Sequence, residues 1–154
     1  MPSILTEISH EINVPPQILY DILVDYQSSH PAILPKPYFE SLSVTKGGRG
    51  AGTAFDLTMR VMGMRQQFQM EVSEPIRGSV IKEIDKAKGV ETTFTLESIA
   101  RGRSCKLTIA TEAPASKGIK GWLERKITPR VTRKIFEAQM VLIEAQAKRV
   151  LNPS

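Results

Sequence analysis

Residues 53–72 read TAFDLTMRVMGMRQQFQMEV, and the period of this stretch decides the fold. Before Gly63, the residues Phe55, Leu57, Met59 and Val61 alternate with Asp56, Thr58 and Arg60. After it, Met64, Phe68, Met70 and Val72 alternate with Arg65, Gln67, Gln69 and Glu71. Successive side chains of a strand project to opposite faces, so each run carries one apolar and one polar face. Gly63 supplies the bend between them, and two half-buried strands joined this way make an antiparallel pair.

The same period extends outward in both directions. Downstream, Pro75 and Gly78 end the second run, and Val80 to Asp85, Val90 to Ile99 and Ser104 to Glu112 read as three further strands. Their predicted inward sets are Val80, Lys82 and Ile84, then Val90, Thr92, Phe94 and Leu96, then Cys105, Leu107, Ile109 and Thr111. Upstream, a turn at Gly47, Gly48, Gly50 and Gly52 separates the hairpin from a strand beginning beyond Tyr38. Further back, Ile4, Ile8 and Ile12 share a face with Thr6 and His10, with Glu7, Ser9 and Glu11 opposite. The total is about seven strands with one apolar face each, and such a sheet needs a cover.

The C-terminal segment supplies it. From Ile119 to Leu151 the pattern is helical, with Ile127, Val131, Ile135, Ala138, Leu142 and Ala145 along one ridge, widened by Phe136, Met140, Ile143 and Ala147. Arg133, Glu137, Glu144 and Lys148 fall on the opposite side. Pro129 is expected to break or kink the helix, with Thr128 as a cap for its second part. Near the N-terminus, Pro15 and Pro16 open a short helix carrying Ile18, Leu19, Ile22, Leu23 and Tyr26, with Asp21 and Asp25 on its wet side. The three prolines and two serines after Tyr26 predict a short broken helix or loop up to Pro37. The fold class is therefore α+β: a curved antiparallel sheet gripping a long C-terminal helix, with two short helices after the first strand.

The 154 residues suit one domain over 1–154, and 41% apolar with 24% charged residues is the balance of a globular chain. Cys105 has no partner for a disulfide, and no cysteine cluster is present to hold a metal, so a reducing, cytoplasmic setting is expected with no metal or other cofactor. Glu7, His10 and Glu11 interrupt the first apolar residues, unlike a signal peptide or a membrane span. The net charge is +5. It is concentrated in Lys117, Lys120, Arg125, Lys126, Arg130, Arg133 and Lys134, opposed only by Glu124.

Four stretches carry a family resemblance along almost the whole chain: Ile12-Asn-Val-Pro-Pro16 before the first helix, Gly47-Gly-Arg-Gly-Ala-Gly-Thr53 before a strand, Val72-Ser-Glu-Pro75, and Gly118-Ile-Lys-Gly-Trp-Leu-Glu-Arg125 opening the last helix. With the order of elements, they resemble the START-like or SRPBCC superfamily, the Bet v 1-like helix-grip proteins, and within it the bacterial polyketide cyclase/dehydrase and lipid-transport group. The resemblance implies a helix-grip fold with a hydrophobic cavity between sheet and long helix. It departs at Tyr20, where many relatives show a tryptophan, and it transfers no catalytic set.

Candidate ligand-binding residues follow from the inward faces: Phe55, Leu57, Met59, Phe68, Met70, Phe94, Phe136, Met140 and Ile143 as lining, or simply as core. His10, by parity on the apolar face of the first strand, is either a proton donor or acceptor for a ligand or a hydrogen-bonded core histidine. Lys82 is either an inward cation or a solvated one. His30, before Pro31, sits at a pocket mouth or in an exposed loop, and Tyr20 and Tyr26 are candidates for proton transfer beside His10. Cys105 reads as an inert buried thiol. The glycine cluster precedes a strand, not a helix, which excludes a dinucleotide cradle. Two isolated histidines without clustered acids do not make a zinc site.

Three functions remain: binding or transport of a lipid, isoprenoid or polyketide-like molecule in the internal cavity; cyclase/dehydrase-type chemistry in the same cavity; or a module contacting a protein, RNA or membrane. For the last, Lys120, Trp122, Arg125 and Lys126 offer an anionic membrane a basic face, or are simply a solvated helix surface. With 6% aromatics and no reading motif, nucleic acid is not an expected partner, and a monomer or weak dimer is expected.

Overall fold

The alternating runs form the sheet they predict. The computed structural model describes residues 3–116 and 118–152, apart from the side chains of Ile119, Trp122 and Leu123. Seven strands, β1 (Ser3–Ile12), β2 (Phe39–Lys46), β3 (Ala54–Val61), β4 (Met64–Ile76), β5 (Val80–Asp85), β6 (Val90–Ile99) and β7 (Ser104–Pro114), pair in the order β1-β7-β6-β5-β4-β3-β2. Every pairing is antiparallel. Helices α1 (Pro16–Val24) and α2 (Ser29–Ala32) follow β1, and α3 (Gly118–Leu151) closes the chain. This is the helix-grip arrangement of α+β class.

The register aligns the inward side chains in rows, with Phe55 opposite Met70, Glu83 opposite Thr92, and Phe94 opposite Ile109. These rows and the buried face of α3 enclose the core, while the close backbone approaches of α3 are to β1 and α1. The arm formed by β2, β3 and β4 meets the helix through side chains.

Four expectations need correction. The inward set of β5 is Ile81, Glu83 and Asp85, not Val80, Lys82 and Ile84. Apolar residues at 80, 81 and 84 leave the parity of this strand open, and hydrogen bonds settle it. Asp85 accepts the backbone N–H groups of Gln69 and Lys88, both at 2.9 Å, and Glu83 accepts a buried hydroxyl, so both carboxylates are accommodated inside. Lys82 lies on the outer face and pairs with Glu91 at 2.6 Å.

The buried ridge of α3 is Ile135, Phe136, Gln139, Met140, Ile143 and Ala147, while Ala145 is exposed and Ala138 and Leu142 are half-buried. The helix turns to bury its largest apolar side chains, since two alanines gain little from burial, and that rotation carries Gln139 inward. The helix also runs without a break through Pro129. A proline removes one N–H from the ladder, a loss local to a single turn of a helix of 34 residues.

The wet side of α1 also differs in part. Asp25 is half-buried and organises the next turn: its Oδ2 accepts the Ser28 hydroxyl at 2.6 Å, and its backbone carbonyl accepts the His30 N–H at 2.8 Å. The Ser28 hydroxyl, with backbone N–H groups of Ser28 and Ser29, holds the Asp25 carboxyl below its ordinary pKa against the opposing effect of burial.

Candidate functional site

The C-terminus of α1 leaves carbonyls without helical partners, and the following turn returns to satisfy them. Gly50 N–H donates to Val24 at 2.9 Å, and Tyr26 N–H donates to Gly48, also at 2.9 Å. His30 Nδ1 lies 2.8 Å from the Leu23 carbonyl. A carbonyl only accepts, so Nδ1 carries the proton and Nε2 points elsewhere. Its neighbour there is Oε2 of Glu83, 3.4 Å away.

At that separation the two groups make a close electrostatic contact and not a hydrogen bond. The Tyr26 hydroxyl donates to the same Oε2 at 2.7 Å. Burial, and then the charge of Glu83, push the Tyr26 phenol well above its ordinary pKa, which keeps it a donor. The Tyr26 ring stacks between His30, at 4.4 Å between centroids, and Phe55, at 5.0 Å, while Phe94 meets His30 edge-on at 5.8 Å. His30 is 2% exposed and Glu83 6%.

This cluster forms one end of a cavity between sheet and α3 of about 50 Å³. Its apolar walls include Phe39, Leu57, Met70, Phe94 and Phe136, and its polar lining is His30, Glu83, Thr92 and Gln139. The Thr92 hydroxyl is already shared with Thr111 at 2.7 Å. Gln139 is 3% exposed and is bonded to no other described side chain. A space of this size holds one or two waters, whereas sites for small organic ligands run to roughly 300–1,000 Å³.

The other candidates of the sequence are dispersed. His10 does share the face of Ile8 and Ile12, but its side chain is 39% exposed and Nε2 meets Glu137 of α3 at 2.9 Å, outside the cavity. Tyr20 is buried and donates to Glu74 in a separate groove with Arg49, Gly50 and Arg77. Burial and the bond to Glu74 raise the Tyr20 phenol; for Glu74, burial is outweighed by hydrogen bonds from Tyr20 and Ala51 N–H and by nearby arginines, leaving it lowered. His10, Tyr20 and Tyr26 therefore face three different places. Phe55, Leu57, Met70, Phe94, Phe136 and His30 come together at the cavity, with Tyr26 behind them. Met140 and Ile143 are core, and Met59 and Phe68 are half-buried against it, the Phe68 ring under Lys88.

Glu83 and Gln139 were missed, the first through the parity of β5 and the second through the helix ridge. Gln139 had a signal: it lies three residues after Phe136 and four before Ile143, inside the apolar stripe. Cys105 is buried, and burial raises its thiol. Lys120, Arg125 and Lys126 are exposed at the start of α3, while the side chain of Trp122 and all of Lys117 lie outside the described residues. Among the described residues no three His, Cys, Asp or Glu side chains converge to hold a metal, and no helix is long and apolar enough to cross a membrane.

No curated protein matches the sequence. Among solved structures the fold is similar to the KanY protein (TM-score 0.82, 21% identity, covering 96% of this chain and 99% of that one). It is also similar to the ZhuI aromatase/cyclase of Streptomyces sp. R1128 (TM-score 0.77, 14% identity, 99% and 98% covered). A START superfamily protein from Mycobacterium smegmatis follows (TM-score 0.74, 12% identity, 95% and 98% covered). Identities this low speak for the fold alone. The family described as polyketide cyclase / dehydrase and lipid transport matches residues 3–148, nearly the whole helix-grip unit, and the chain belongs to that family.

Proposed function

We propose that the chain binds a small hydrophobic molecule between the sheet and α3, acting as a carrier or sensor. The observation that carries this reading is the mixed lining of the internal cavity: apolar walls closed at one end by the His30–Glu83 pair and by an amide with no side-chain partner among the described residues. A purely structural core has no use for an unengaged glutamine in its centre. Membership of a family that includes lipid transport supports the same reading. Since about 50 Å³ is too little for such a ligand, binding must be coupled to separation of α3 from the β2–β4 arm. Native mass spectrometry of freshly purified protein should detect a retained apolar adduct, which is lost in the cavity-filling variant Leu57→Trp. An adduct-free protein whose Phe94 and Phe136 resonances ignore a panel of apolar compounds would refute the proposal.

One observation favours a second reading, cyclase/dehydrase-type chemistry. An imidazole and a carboxyl side by side can between them give a proton to a leaving hydroxyl and take one from carbon, the two halves of a dehydration. A retained ligand that loses 18 Da in the wild type but persists intact in Glu83→Gln supports this reading, and equal persistence in both removes it.

A further inference from the structure

The polar end of the cavity carries more information than the presence of a site. Among the described residues no lysine or arginine lines it. The donors of the cluster are turned into the protein: Nδ1–H to Leu23 and the Tyr26 hydroxyl to Glu83, with Nε2 of His30 facing the same carboxylate. Two groups remain, the Gln139 amide and Oε1 of Glu83, neither engaged by another described side chain. No fully enclosed side-chain nitrogen or oxygen lacks a partner among the described residues, so both groups border open cavity and not packed protein.

One group is an amide that can donate, and the other is a carboxyl oxygen that can accept. A carboxylate or phosphate entering here would shed its water, find no cation, and meet Glu83. A ketone would satisfy only the amide. A hydroxyl both accepts and donates, and it complements the two together.

We infer that the site selects an uncharged, hydroxyl-bearing apolar molecule, an alcohol or phenol, which accepts a hydrogen bond from Gln139 and donates one to Glu83, and that it rejects acidic lipids. The inference rests on the cavity being a binding site, as proposed above.

Phenol, acetophenone, benzoate and toluene at pH 7 test it, titrated against isotopically labelled protein and followed by the Gln139 side-chain amide signal and the His30 ring. Phenol should bind about tenfold or more tightly than toluene or benzoate, with acetophenone between, because a site that hydrogen-bonds a hydroxyl penalises analogues lacking it. Gln139→Leu should weaken phenol and leave toluene unchanged or improved. If benzoate binds as well as phenol, or toluene binds with no preference for phenol, the hydroxyl inference is overturned while the binding reading stands. If none of the four moves either reporter at millimolar concentration, both fall together.

Discussion

Replacing Tyr26 by phenylalanine removes one oxygen and nothing else from the buried cluster. The ring stays stacked between His30 and Phe55, so the loss is confined to the hydroxyl that donates to Glu83 at 2.7 Å. Tyr26 is fully buried. A hydrogen bond to a charged group is worth about 1.5–3 kcal/mol and one between neutral groups about 0.5–1.5 kcal/mol. A carboxylate acceptor puts the Tyr26 bond in the upper range. For a chain of this length that range corresponds to a fall of roughly 3–12 °C in Tm. The assay is urea denaturation of Tyr26→Phe, Glu83→Gln and the double variant, with unchanged m-values as the check on two-state behaviour. In the Glu83→Gln background the hydroxyl donates only to a neutral amide, so the cost of Tyr26→Phe should drop by about 1 kcal/mol or more. A cost below about 0.5 kcal/mol in the wild-type background, or equal costs in both, would falsify the picture of a charged carboxylate held by that phenol.

Other consequences can be checked one residue at a time. Ala147→Arg should prevent stable folding or cost several kcal/mol, because Ala147 is fully buried, whereas Ala145→Arg on the exposed side should stay within about 0.5 kcal/mol; thermal melts distinguish them. Lys82→Ala breaks only a half-exposed pair with Glu91 and should also stay within about 1 kcal/mol, a result an inward lysine would not give. The depressed Asp25 carboxyl means that the unfolded chain binds more protons than the native one below the ordinary carboxylate pKa of about 3.9. Its contribution is therefore complete above that value and lost as pH falls through the folded value. The stability gap between wild type and Asp25→Asn should accordingly be widest near neutrality and close in acid. Cys105 should resist thiol reagents in the native protein and react at the rate of unfolding, since burial keeps its thiol protonated and out of reach.

Where a strand's apolar residues have only one parity, as Phe55, Leu57, Met59 and Val61 do, the sequence reads directly as structure. Segment 80–85 does not have that property. With Val80, Ile81 and Ile84 it offers both faces an apolar case, and the deciding facts are long-range: donors from Tyr26, Gln69 and Lys88 that make it possible to bury Glu83 and Asp85. The ridge of α3 was ambiguous for a related reason, since a stripe two residues wide can rotate by one position without losing its period. Volume chose between the rotations, and volume is not visible in periodicity. The cavity lies where these two ambiguities meet, which is why its apolar wall was legible while Glu83 and Gln139 were not.

On the proposed function, the same arrangement says where the cavity would open. α3 is close to the backbone of β1 and α1, and among the described residues its buried side chains run from Ile135 to Ala147. Lifting it from β1 would expose Ile8, Ile12 and the row of β7 behind them. The β2–β4 arm, by contrast, meets α3 across the cavity itself, through Phe39, Leu57 and Met70 facing Phe136 and Gln139. The apolar surface uncovered on that side borders space a ligand would fill, so a bound apolar molecule restores the burial that opening removes. On the proposed function, the cost of opening is therefore lowest where a ligand would compensate most, and the volume of about 50 Å³ is the closed form from which binding would start.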